Sequence, residues 1–258
     1  MIGIAYFAVV LLACVLGAIV GLGGGVLIRP IFDTIAAHDM ANIQFFSSAA
    51  ILSMAVVSTV MKVRDGTEID RTKALLISAG ALAGGVLGDM ALLGLLSAVE
   101  EERTAQLIQS GATVAMLLLS LVLTALSGRR CLIKSKWLSF PFGICLGAVA
   151  VFLGVGGGPV NVPLLMIFFG LSIKTAAAYS IVIIFFSHFS RLATMGATVG
   201  FAGLSLPMLP FILPAALLGG FAGARVSKRM SDGAVKKVFL AAISAVTALN
   251  IANGFFLL

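Results

Sequence analysis

Residues 21–31 read GLGGGVLIRPI and residues 154–164 read GVGGGPVNVPL. At an offset of 133, Gly21, Gly23, Gly24, Gly25 and Pro30 fall on Gly154, Gly156, Gly157, Gly158 and Pro163. The same offset sets Ser47 of FFSSA on Ser180 of AYSIV. At an offset of 135, LAGGVLGD (82–89) matches LLGGFAGA (217–224), with Gly84 and Gly88 on Gly219 and Gly223. Three matches in the same order across half a chain predict a duplication. Residues 1–127 and 138–258 are the two copies, and 128–137 is the linker between them.

The material around these stretches sets the solvent. Of 258 residues, 60% are hydrophobic and 10% charged, with mean hydropathy +1.17. A soluble domain carries about 25% charge, so a soluble globular protein, a disordered chain and a DNA-binding domain are excluded. Apolar segments run at 2–22, 26–37, 43–61, 74–97, 105–127, 138–155, 159–171, 175–194, 204–224 and 238–258. Without water to satisfy the backbone, such segments form helices. Segments 26–37 and 159–171 fall short of the about 20 residues a crossing needs, and both directly follow a glycine run. The fold class expected is an all-α polytopic membrane protein with two inverted repeats of about five segments each. Eight of these are long helices, and the rest are short or re-entrant pieces broken by glycine.

Charge placement orients the copies. Thirteen of the 17 Lys and Arg residues fall in 62–73, 129–136 and 225–237, as cytoplasmic loops do under the positive-inside rule; this distribution argues against nucleic acid as a partner. Loop 62–73 is basic, whereas its counterpart 195–203 has no Lys or Arg. Loop 97–104 carries Glu100, Glu101 and Glu102, whereas its counterpart 225–237 holds five basic residues. Equivalent loops on opposite faces imply inverted copies. Residues 137 and 174 then share the cytoplasmic side, and 154–158 is the deep end of a stretch that enters and returns. The stretch 2–40 does the same from outside, so both termini are external. Each is a re-entrant hairpin or a pair of short spans. The first 21 residues read as a retained span, with no basic leader region or cleavage site. Cys14, Cys131 and Cys145 show no spacing suited to zinc or a disulfide.

Three glycines after an apolar helix break it and free backbone N–H groups. New helices start near Val26 and Pro159, and a helix N-terminus inside a membrane favours an anion. Inverted copies bring two such ends to the midplane. This predicts an anion site at Gly23, Gly24, Gly25, Gly156, Gly157, Gly158 and Pro159. Nearby polar residues join the candidate set. Arg29 either contacts substrate, snorkels, or pairs with Asp33 four residues on. Asn161 offers an amide or a helix cap. Ser47, Tyr179 and Ser180 donate to an anion or to a backbone carbonyl. His188 and Arg191 line a pathway, carry protons, or sit at the interface. Asp89 is a lone acid in an apolar segment and a coupling candidate. Gly80, Gly84, Gly88, Gly219 and Gly223 have the small-xxx-small spacing of close helix crossings.

GLGGG…P early, GVGGGPVNVPLL midway and the short basic loop between copies resemble the sulfite exporter TauE/SafE family of membrane transporters. The resemblance spans essentially the whole chain, with Ala178, Tyr179, Ser180 and the Gly219/Gly223 spacing in support. Arg29 departs from the pattern, because its counterpart Val162 is apolar. The resemblance implies a secondary transporter in the cell inner membrane for sulfite or a sulfonate such as sulfoacetate, working by alternating access. A small-anion channel built on the same helix ends is the alternative. No enzyme activity is expected, since no catalytic set or metal cluster stands out, and no cofactor. The expected partners are a small anion, the lipid bilayer, a coupling H+ or Na+, and a second copy in a homodimer.

Overall fold

The computed structural model describes residues 2–35, 37–67, 70–99, 102–127, 135–198, 200 and 205–257. Glu100, Glu101, Cys131 and most of the linker lie outside the described residues. Apolar runs without water have one way to satisfy their amides, and helices follow: α1 (Ile2–Val20), α2 (Gly25–Ile35), α3 (Met40–Arg64), α4 (Arg71–Ala98) and α5 (Glu102–Leu126) before the linker. After it come α6 (Ser139–Leu153), α7 (Gly158–Phe169), α8 (Ile173–Thr198), α9 (Leu209–Arg229) and α10 (Asp232–Leu257). No strand occurs among the described residues. Eight of the helices, all but α2 and α7, are long and apolar enough to cross a membrane. The chain is a multi-pass α-helical membrane protein.

Polar contacts sort the helix ends. Lys228 Nζ lies 2.5 Å from Asp65 Oδ1, Lys136 Nζ 3.5 Å from Asp70 Oδ2, and Lys174 Nζ donates to Met230 O at 3.0 Å. Residues 62–67, 70–73, 136, 174 and 228–230 therefore share one end, the basic end. At the other end the Tyr6 hydroxyl is 3.0 Å from His38 Nδ1, Ser205 N donates to Asn42 Oδ1 at 2.7 Å, and Thr34 Oγ1 is 3.1 Å from Asn253 Oδ1. Thus α1 leaves from and α2 returns to the terminal end, while α6 and α7 leave from and return to the basic end. With 11 and 12 residues, α2 and α7 rise only about 16–18 Å, against about 30 Å of hydrocarbon. Both stretches are helical hairpins.

The hairpin tips meet. Positive φ recurs at Gly21, Gly23 and Gly24 (79°, 85°, 75°) and at Gly154, Gly156 and Gly157 (65°, 90°, 64°), a region only glycine enters without strain. An ideal Cβ on Gly158 would lie 2.4 Å from Leu22 Cα, and one on Gly25 would lie 3.2 Å from the Val155 carbonyl carbon. Tip touches tip inside the molecule.

The spaced glycines do the packing expected of them. A Cβ on Gly84 or Gly88 of α4 would lie 2.1 or 2.3 Å from the carbonyl oxygens of Ile144 and Ala148 of α6. On α9, a Cβ at Gly219 or Gly223 would lie 2.7 or 2.3 Å from those of Leu11 and Val15 of α1. Residues 11 and 15 plus 133 are 144 and 148, so the two crossings are built from corresponding residues. Thus α4 packs on α6 and α9 on α1.

Candidate functional site

The last carbonyls of a helix have no partner within it, and α6 ends deep in the protein. Three donors from three helices meet them. Arg191 of α8 donates to Val151 O at 2.7 Å, Gln109 of α5 to Phe152 O at 2.7 Å, and Arg29 of α2 to Leu153 O. Cations suit this negative pole. Each arginine is completed in the same manner. Arg29 donates to Gln109 Oε1 with its Nε 3.8 Å from Asp33 Oδ2. Arg191 donates to Gln44 Oε1 with its Nε 3.8 Å from Asp89 Oδ1.

Arg29 is thereby tied to α6, Gln109 and Asp33, which accounts for a charged residue where the position at offset 133 is Val162. We expect Arg29→Ala to destabilise the protein by about 3 kcal/mol, the low end of the range for removing one member of a buried ion pair, because Asp33 is partly exposed. A thermal melt with and without ligand checks this. The melting point falls in both, while the gap between them stays.

A second group of polar atoms has no such ties. Ser47 Oγ, both side-chain atoms of Asn161, and His188 Nε2 are buried without a hydrogen-bond partner. Buried polar atoms are nearly always paired. All three residues lie at the hairpin tips. Ser47 Oγ is 3.2 Å from an ideal Cβ on Gly25, Asn161 Oδ1 is 3.3 Å from one on Gly157, and His188 Nε2 is 3.8 Å from one on Gly156. The tips bring backbone donors. In α2, Leu27 and Ile28 N–H bond Gly24 O, and in α7 Val160 and Asn161 N–H bond Gly157 O. The N–H groups of Gly25, Val26 and Gly158 precede the first bonded turn, and Pro159 contributes none. On its other nitrogen, His188 Nδ1 lies 3.2 Å from Ser48 Oγ.

The remaining candidates fall elsewhere. Ser180 donates to Gly21 O at 2.7 Å, whereas its counterpart Ser47 is unpaired. Tyr179 is not part of the tip group. Its hydroxyl accepts from Asp70 N at 2.8 Å and donates to Asp70 O at the basic end. His188 and Arg191 are 0% and 1% exposed, so neither is an interfacial residue. Asp89 and Arg191 form the floor of a cavity of about 400 Å³ that opens at the terminal end beside Asp39 and Thr198. Gln44 and Gln109, partners to the two arginines, were not singled out from sequence. An amide inside an apolar run was the available signal.

Helices that cross, hairpins that meet halfway and polar atoms sealed from lipid at the meeting point define a multi-pass membrane protein with a polar centre. The family model for sulfite exporter TauE/SafE matches residues 6–250, and the chain belongs to that family, which is one of membrane transporters and not of enzymes. No curated protein and no solved structure matches it.

Proposed function

We propose that the chain is a secondary transporter of a small sulfur oxyanion, sulfite or an organosulfonate such as sulfoacetate, held where the hairpin tips meet. The observation that carries this reading is the set of unpaired buried atoms on Ser47, Asn161 and His188. With Ser48 donating to Nδ1, the Nε2 of His188 bears hydrogen and becomes a donor. Ser47 Oγ, Asn161 Nδ2, His188 Nε2 and the N–H groups of Gly25, Val26 and Gly158 then form a donor set for one oxyanion. The helix dipoles of α2 and α7 add positive potential. Arg29 and Arg191 hold the end of α6 in place, and Asp89 with Arg191 borders the route from the terminal end.

The two copies, 1–127 and 138–258, act as inverted repeats around this point. The opposed hairpins and the corresponding helix crossings support that arrangement. By the positive-inside rule the basic end is cytoplasmic and both termini are external, in a cell inner membrane. Alternating access moves one group of helices past the other around the bound anion.

The test is a thermal-shift panel on purified protein with sulfite, sulfate, sulfoacetate, taurine, acetate and chloride at matched ionic strength. A ligand at a hundred times its Kd stabilises the folded state by about 2.7 kcal/mol. We expect a shift confined to sulfite or a sulfonate. Equal shifts for all anions, or none in a well-folded sample, would sink the reading.

A further inference from the structure

The cavities at the two ends occupy corresponding places in the two copies. Ala41, Leu93, Met195 and Thr198 line the one at the terminal end. At the offsets of 133 and 135 their counterparts are Lys174, Lys228, Lys62 and Asp65, and all four line a cavity of about 170 Å³ at the basic end. The positions are shared, but their chemistry is reversed. Two apolar side chains and an alanine on one side become three ammonium groups on the other.

Lys62 is the telling member. It is 7% exposed and lines the cavity, and among the described residues its ammonium group makes no hydrogen bond or ion pair. Its neighbours are already engaged. Lys228 Nζ sits 2.5 Å from Asp65 Oδ1, and Lys174 Nζ donates to Met230 O at 3.0 Å. A buried charge needs a partner of opposite sign. Three ammonium groups face one carboxylate here, so the described lining carries two uncompensated positive charges.

We propose that this cavity is a second oxyanion site, separate from the hairpin tips, with Lys62 as its anchoring cation. Its place as the counterpart of the other cavity makes it the vestibule through which the anion passes at the basic end. That last clause rests on the transporter reading, but the binding itself does not. The oxyanion is supplied either free from solution or as a lipid headgroup.

The test is calorimetric titration of the full chain with sulfite, in low and high salt, for wild type, Lys62→Met and Asn161→Leu. Methionine is the residue at the counterpart position 195, so the volume suits the fold. Lys228→Gln, at an exposed position, is the second variant should Lys62→Met not fold. We expect a weak, salt-sensitive class of sites in wild type. It should persist in Asn161→Leu and weaken at least about tenfold in Lys62→Met, or severalfold in Lys228→Gln, since exposed charges are screened. Lys62→Met and Lys228→Gln titrating like wild type at both salt levels would overturn the proposal. Loss in Lys62→Met while Asn161→Leu matches wild type in every class would overturn the central site and leave this one standing. Repeating the titration in nanodiscs of phosphatidylcholine, with and without phosphatidylglycerol, separates the sources. Loss of the Lys62-dependent class only with phosphatidylglycerol assigns the site to the headgroup, and its retention assigns it to the free anion.

Discussion

Asn161→Leu is expected to cut the ligand-induced thermal shift to about half or less while leaving the unliganded protein as stable as wild type or more so. The two effects have one cause. Both polar atoms of the Asn161 side chain are buried and unpaired, and an unsatisfied buried group costs about 1–3 kcal/mol. Leucine has the same number and branching of side-chain heavy atoms and removes that cost. A hydrogen bond to a charged group contributes about 1.5–3 kcal/mol, so an oxyanion that loses the amide binds about ten- to a hundredfold more weakly. Paired melts with and without sulfite measure both. A drop in the unliganded melting point with the ligand shift intact would show Asn161 to be a packing residue and refute its place in the site. His188→Gln and Ser47→Ala serve as companions, because each removes one donor and leaves the tips in place.

Gly84→Val is expected to prevent folding, whereas Gly94→Ala on the same helix is expected to be neutral or mildly stabilising. A Cβ at Gly84 would lie 2.1 Å from the carbonyl oxygen of Ile144, and a backbone atom in another helix cannot rotate aside. Overpacking a good core costs about 1–3 kcal/mol when side chains can adjust, so a backbone clash at a helix crossing exceeds that. At Gly94 nothing lies within 4 Å, and alanine is favoured over glycine in a helix by about 0.5–1 kcal/mol. Size-exclusion profiles in detergent report the contrast. A monodisperse Gly84→Val protein with an unchanged melting point would refute the close crossing of α4 and α6.

Much of the molecule was legible as a linear pattern. Apolar runs dictate helices wherever water is absent, so the order of ten helices follows from hydropathy alone. The glycine runs mark breaks because consecutive glycines stop a helix, and all six positive-φ glycines of the two tips lie within them. The matched motifs stand at fixed offsets, and these recur in the glycine crossings. The repeat also points to Ser47 and Ser180 equally, and Asn161 was visible as an amide beside the second glycine run.

Partner choice was not legible, because it depends on residues far apart in the chain. Arg29 stands in the sequence as a lone charge near a glycine run, equally suited to an anion or to a neighbour. Its partners, Leu153 and Gln109, are 124 and 80 residues away, and only their meeting shows that the guanidinium caps α6. Ser47 and Ser180 are equivalent in sequence, yet one is unpaired and the other bonds Gly21 O, a difference set by how the tips seat against each other. The same holds for Lys62, one of four cations in a basic stretch until packing against α8 and α9 buries it beside Lys174 and Lys228. The solvent, the helices and the breaks are written in the sequence, because they are local consequences of side-chain polarity and backbone freedom. Only the folded chain decides which buried polar groups find a partner and which do not, because satisfaction is a property of pairs.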